Sequence, residues 1–112
     1  MVIQKNCHFI DNKTTPMVSK HYSNASSDVL DVQVDGNFTG LIKVEGRLHQ
    51  HGAWVSLAGI NLSNFASANG GIKAPGLYEF SVIGVREVRV NVESLAGGAI
   101  SVYGQLISSE EV

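Results

Sequence analysis

The chain has 112 residues, enough for one domain with one core and too few for a second. With 44% hydrophobic and 16% charged residues, it has the composition of a globular protein rather than a disordered or fibrous one. The net charge is -2 and the eight Lys and Arg residues are scattered, which excludes the clustered basic footprint of a nucleic-acid or anionic-membrane binder.

Residues 1–27 are polar, with Lys13-Thr14-Thr15-Pro16 and Ser23-Asn24-Ala25-Ser26-Ser27 around one short apolar piece, Cys7-His8-Phe9-Ile10. This composition predicts an extended N-terminal arm with a short strand near residues 7–10, followed by a folded domain over 28–112. Cys7 is the only cysteine, so no internal disulfide forms, and it reads as a small buried side chain. Met1 to Asn6 lack the basic-then-apolar order of a secretory signal, and no apolar run nears the roughly 20 residues of a membrane helix. Synthesis in a cytoplasm, without a membrane partner, is the expectation.

From Asp28 the pattern has period two. Leu30, Val32 and Val34 alternate with Asp31 and Gln33, a half-buried strand, and Asp35-Gly36-Asn37 then predicts a tight hairpin turn. The next strand puts Phe38, Gly40, Ile42, Val44, Gly46 and Leu48 on one face, with Thr39, Leu41, Lys43, Glu45, Arg47 and His49 on the other. His49-Gln50-His51-Gly52 turns the chain into a third strand over Ala53-Trp54-Val55-Ser56-Leu57. Residues 58–76 read as a long connection between sheets, pinned by Ile60, Leu62 and Phe65, with a brief strand at Ile72. The last third alternates most clearly: Tyr78, Phe80 and Val82, then Val88, Val90 and Val92, then Ile100, Val102 and Leu106 after Gly97-Gly98. No segment repeats apolar residues with helical spacing, so the expected fold is all-β. It is an antiparallel two-sheet β-sandwich, jelly-roll or Greek-key like, carrying the polar arm.

Few groups point to chemistry. His49 and His51 lie two apart, so on a strand both imidazoles face one way, but a metal site needs further ligands and none stands at matching spacing. Cys7 and His8 are adjacent and would face opposite ways, which separates a nucleophile from its base. Asp31, Asp35, Glu45, Glu79, Glu87 and Glu93 fall mostly on expected solvent faces. Neither a cofactor nor a catalytic set is expected. Trp54 has two readings: core packing, the ordinary place for the single tryptophan of a sandwich, or stacking on a sugar ring. Leu41, Tyr103 and Ile107 sit on the polar parity of their strands, where apolar side chains are the mark of a subunit contact.

Ile42-Lys43-Val44-Glu45-Gly46-Arg47-Leu48 followed by Trp54-Val55-Ser56-Leu57 resembles a strand–turn–strand motif of tailed-bacteriophage structural proteins. The resemblance continues through Gly76-Leu77-Tyr78-Glu79-Phe80-Ser81-Val82, Gly84, Val88-Arg89-Val90-Asn91-Val92 and Gly97-Gly98-Ala99-Ile100-Ser101-Val102, about two thirds of the chain. Two departures, His49-Gln50-His51-Gly52-Ala53 before Trp54 and Leu95-Ala96, put the loop geometry in doubt but not the fold. It implies a non-enzymatic virion protein of the capsid-decoration, head-fibre or tail-fibre type. A lone sandwich without trimerisation repeats implies a decoration or minor capsid protein bound to a major capsid protein or other virion protein. The arm would order on the shell, and Leu41, Tyr103 and Ile107 would serve a dimer or trimer. The alternative is a carbohydrate- or receptor-binding module of a tail or fibre, with His49, His51 and Trp54 touching a glycan.

Overall fold

The structure, a computed structural model, describes the backbone of residues 2–109 and the side chains of residues 4–108. Among the described residues ten strands follow one another: β1 (Val2–Lys13), β2 (Met17–Val18), β3 (Tyr22–Ser23), β4 (Val29–Gly36), β5 (Thr39–Arg47), β6 (Val55–Ser56), β7 (Gly59–Asn61), β8 (Gly76–Ser81), β9 (Glu87–Ala96) and β10 (Ile100–Ser109). No helix occurs among the described residues.

The first sheet has the order β1-β10-β4-β8-β7; the second runs β2-β9-β5-β6, with β3 also paired to β9. Every pairing is antiparallel. With β2 and β3 taken as one interrupted strand and β7 as an added edge, the remaining order is that of a jelly roll, whose first and last strands lie side by side. The expected sandwich is therefore present, and the topology within it is the jelly roll.

Period-two burial builds the core. Leu30, Val32 and Val34 of β4, Tyr78 and Phe80 of β8, and Ile100, Val102 and Leu106 of β10 point inward from the first sheet. Ile42 and Val44 of β5, with Val88, Val90 and Val92 of β9, meet them from the second. Each such side chain contributes about 1.5–3 kcal/mol on removal from water, so this interlock dominates the favourable side of folding.

The expected arm is corrected. Residues 2–13 form the long edge strand β1, paired with β10 from Val2↔Ser109 to Lys13↔Ile100. Cys7, Phe9 and Ile10 belong to the core. Register shifts after His8 bulge the strand, which lets the consecutive residues Phe9 and Ile10 both face inward. Buried polar residues that follow are satisfied by backbone of β9 and of the turn between β8 and β9. Buried Ser19 accepts a hydrogen bond from Val90 N–H at 2.9 Å. Buried Asn24 donates from its amide to the carbonyls of Val82 (3.1 Å) and Val85 (2.8 Å). A boundary between residues 27 and 28 thus divides one hydrogen-bonded body.

Other expectations change as well. Asp35-Gly36-Asn37 makes no hairpin, because β4 and β5 lie in different sheets and the chain crosses the sandwich there. Gly36 (φ 132°) permits the crossing: a Cβ on it would stand 2.3 Å from the Ala99 carbonyl oxygen. Leu48 falls beyond the end of β5 and is 70% exposed rather than inward. The third strand shortens to β6. The 58–76 connection is pinned by Ala68 and Ile72, not by Phe65. Ile72 exchanges two backbone hydrogen bonds with Ile42 at 2.7 and 2.9 Å, closing that end of the sandwich.

Candidate functional site

Each sheet has an outer face, and the two faces are built differently. On the second sheet, the β5–β9 register sets Glu45 opposite Arg89 and Arg47 opposite Glu87. Arg89 Nε donates to Glu45 Oε1 and Arg47 Nε to Glu87 Oε1, both at 2.8 Å. Asn91 donates to the other Glu45 oxygen at 3.3 Å, and His21 Nε2 lies 3.0 Å from Glu87 Oε2. Lys43 Nζ lies 3.2 Å from Glu93. Cross-strand pairs of opposite charge support the sheet as they form.

Trp54 lies over this ladder, not in the core. The guanidinium carbons of Arg47 and Arg89 stand 4.3 and 4.4 Å from its ring centroid, and the His21 ring is at 5.9 Å. The half-buried indole shields ion pairs from water, which strengthens them, and gains cation–π attraction itself. His49 and His51 lie in the exposed turn that precedes it, with ring centroids 5.4 Å apart, and the His51 N–H donates to His49 Nδ1 at 3.1 Å. No group of three or more metal-ligating side chains occurs among the described residues.

Of the three apolar residues on polar parity, Tyr103 and Ile107 lie half-buried on the outer face of the first sheet. Leu41 belongs to the second sheet, opposite a bulge of β9 at Glu93, and lies close against Gly71 of the 58–76 connection. The three do not make one patch. Tyr103 packs edge-on to His8 at 5.7 Å, and its hydroxyl donates to Asp11 at 3.4 Å. Tyr78 is a core residue, its hydroxyl donating to the Ala74 carbonyl at 2.7 Å. Cys7 is fully buried, and burial pushes its thiol up to about 11, so it is held as an inert thiol.

The first sheet's outer face also carries residues that the alternation alone did not single out. A trough of about 390 Å³ is lined by His8, Asp31, Gln33, Leu62, Leu77 and Tyr103, among others. A second depression of about 420 Å³ includes Ile60, Phe65 and Glu79. Asp31 and Glu79 are direct register partners across β4 and β8, and so form the ridge between the two hollows. Burial, followed by the hydrogen bond and charge of Glu79, pushes the Asp31 carboxyl up to about 6. Asp31 Oδ1 is buried and has no hydrogen-bond partner among the described residues. Parity placed both acids on outer faces; only strand pairing could set them side by side.

Phe65 completes this face at its β7 edge. It is 75% exposed and holds a left-handed backbone (φ 58°) that an aromatic residue seldom adopts. The turn enforces it: Phe65 N–H donates to Asn61 O at 2.7 Å, Asn61 N–H to Ala66 O at 2.8 Å, and Ser63 N–H to Asn61 Oδ1 at 2.9 Å.

The same architecture occurs in known proteins. The crystal structure of SPBc2 prophage-derived protein YomS superposes with a TM-score of 0.85 at 22% identity, covering 96% of both chains. The crystal structure of PBSX exported protein XepA superposes at 0.88 with 19% identity, covering 96% of this chain and 38% of the other. The chain therefore spans well under half the length of that second protein and corresponds to part of it. At these identities the likeness shows a shared fold. A search of the curated proteins gives no significant match. The family model XepA, however, matches residues 4–106, and on that match the chain belongs to the XepA family.

Proposed function

We propose that the chain is a non-enzymatic binding module of phage origin that works by docking to another protein of a phage assembly. The observation that carries this reading is the family match over residues 4–106, joined to end-to-end similarity with a protein described as prophage-derived. That another relative is described as an exported protein favours action outside the cytoplasm, in a virion or a released assembly. Jelly rolls also recur in viral capsid domains, a fold-level analogy that agrees with the reading without establishing it.

Attachment to an assembled shell, as a decoration or minor capsid protein, is the specific form we put first. One support for it is withdrawn: residues 2–13 are already an edge strand, so they are not an arm that waits for a lattice. What supports docking in general is the first sheet's outer face, where Leu77 and Phe65 stay exposed although the molecule has a full core.

The test is to separate particles, culture supernatant and cell lysate from a phage-producing culture and to quantify the chain in each by mass spectrometry. Enrichment with particles or with a released phage complex is expected. Confinement to the cytosol, free of any phage protein, would reject the reading.

A further inference from the structure

The outer face of the first sheet leaves an acid pair without a basic partner, where the β5–β9 ladder of the other face pairs each of its carboxylates. On the second sheet Glu45, Glu87 and Glu93 each have a basic partner within 3.2 Å. On the first, Asp31 and Glu79 confront each other across β4 and β8, and no Lys or Arg of the described residues forms an ion pair with either. Like charges directly opposite in a sheet are destabilising until a proton or a cation lies between them. The neighbouring amides do not help. Asn6 and Gln105, next in the same row, are bonded to each other at 3.0 Å, and Lys5 reaches away to the Ser23 carbonyl.

Apolar side chains flank this ridge among polar ones such as Gln33 and Gln105. Leu77 is 51% exposed, Ile60 36% and Phe65 75%, with Leu62 and Tyr103 half-buried beside the trough. Such a surface matches a cationic side chain whose neighbours are apolar. A cation alone would leave Phe65 and Leu77 in water, and an apolar segment alone would bury the carboxylates without a partner.

We propose that this face docks a partner protein through a Lys or Arg side chain flanked by apolar residues, the cation seating between Asp31 and Glu79. The inference rests on the reading of the chain as a binding module and adds the surface and the partner's chemistry. Asp31 and Glu79 stand directly opposite each other, and a guanidinium fork can serve both carboxylates at once. Apolar flanks cover Leu77, Ile60 and Phe65. The hydrogen-bonded turn already fixes the Phe65 backbone, so the backbone ordering cost at that anchor is small. The titratable side chains beside Asp31 are Glu79, its partner on β8, and His8 of β1 and Tyr103 of β10, which line the same trough. Protonation of the acid pair at low pH removes the attraction.

The probe is a short synthetic peptide with arginine between leucines, compared with the same peptide carrying glutamate, followed by amide chemical-shift mapping on the whole chain. The expected result is shifts confined to β4, β8 and the 61–66 turn with the arginine peptide, and none with the glutamate peptide. Affinity should fall about tenfold in the Asp31→Asn/Glu79→Gln double variant, the loss of one charge-assisted hydrogen bond. It should also weaken between about pH 8 and about pH 5. Equal binding of both peptides, shifts on the second sheet, or unaltered affinity in the variant would overturn the proposal. So would loss of self-association in Leu77→Asp without peptide binding, which would assign the face to a second copy. Because this measurement uses purified chain, its failure leaves the fractionation result standing, and the two readings fail separately.

Discussion

Tyr22 and His8 lie in different sheets, yet the Tyr22 hydroxyl accepts a hydrogen bond from the His8 N–H at 3.0 Å and donates one to the His8 carbonyl at 3.1 Å. One side chain thereby closes the outward backbone groups of an edge strand at its bulge, where an open edge would invite pairing with another chain. The Tyr22 ring also packs edge-on against Phe9 at 5.3 Å. Tyr22→Phe should keep that packing and lose the plug, at a cost of about 1–2 kcal/mol. Urea unfolding checks the stability, and sedimentation should show a greater tendency to associate. A variant as stable and as monodisperse as the parent would show that the plug is idle.

Asn24 ties the β3–β4 connection to the turn between β8 and β9 by donating to the Val82 and Val85 carbonyls. Asn24→Ala leaves both carbonyls without that donor in a buried place and should destabilise by about 1–3 kcal/mol. Asn24 also heads an Asn-Ala-Ser sequon, and its burial leaves no room for a glycan there. Thermal unfolding of Asn24→Ala beside Ser26→Ala, which removes only the sequon, separates the two roles; only the first should lower Tm.

Trp54→Ala uncovers Arg47 and Arg89 and should cost about 1–2 kcal/mol, with Trp54→Phe recovering part of it. Added salt should reduce stability more in the alanine variant, because its ion pairs become better exposed to screening. Denaturant midpoints at low and high salt measure this. An identical salt response in parent and variant would show that the indole does not shield the ladder.

Asp31 gives stability a pH dependence of defined sign. Burial and the facing Glu79 push its carboxyl up from the ordinary 3.8 to about 6, so the folded state holds the proton more tightly than the unfolded one. Its contribution is therefore most favourable below the unfolded value, declines as pH rises through that window, and stays at its minimum above about 6. Asp31→Asn should remove this decline and stabilise the chain at neutral pH. Unfolding midpoints across the acidic range test it, and a parent whose stability does not fall over that window relative to the variant would contradict the assignment.

Much of the sandwich is legible because Leu30, Val32, Val34 and Val88, Val90, Val92 each mark one buried face by simple alternation. β1 was illegible because its alternation breaks at the bulge between His8 and Ile10, and its outer residues are polar, as suits a strand at the edge. Gly36 announces a change of direction, but the same positive φ serves a hairpin or a crossing, so the choice of sheet was not written locally. Asp31 and Glu79 were readable as outward-facing, whereas their meeting depends on which distant strands pair. Trp54 misled for a different reason: the row of Arg and Glu that accommodates it on the surface forms only after β5 and β9 align.

The claim that this sandwich works by docking is tested most directly by hydrogen exchange on the chain in its native phage fraction and on the purified chain alone. Added protection in the native fraction is expected on β8 and the 61–66 turn, with the amides of β9, in the other sheet, unchanged. Identical exchange in the two states would mean that nothing covers the molecule in its native setting, and would contradict a docking role.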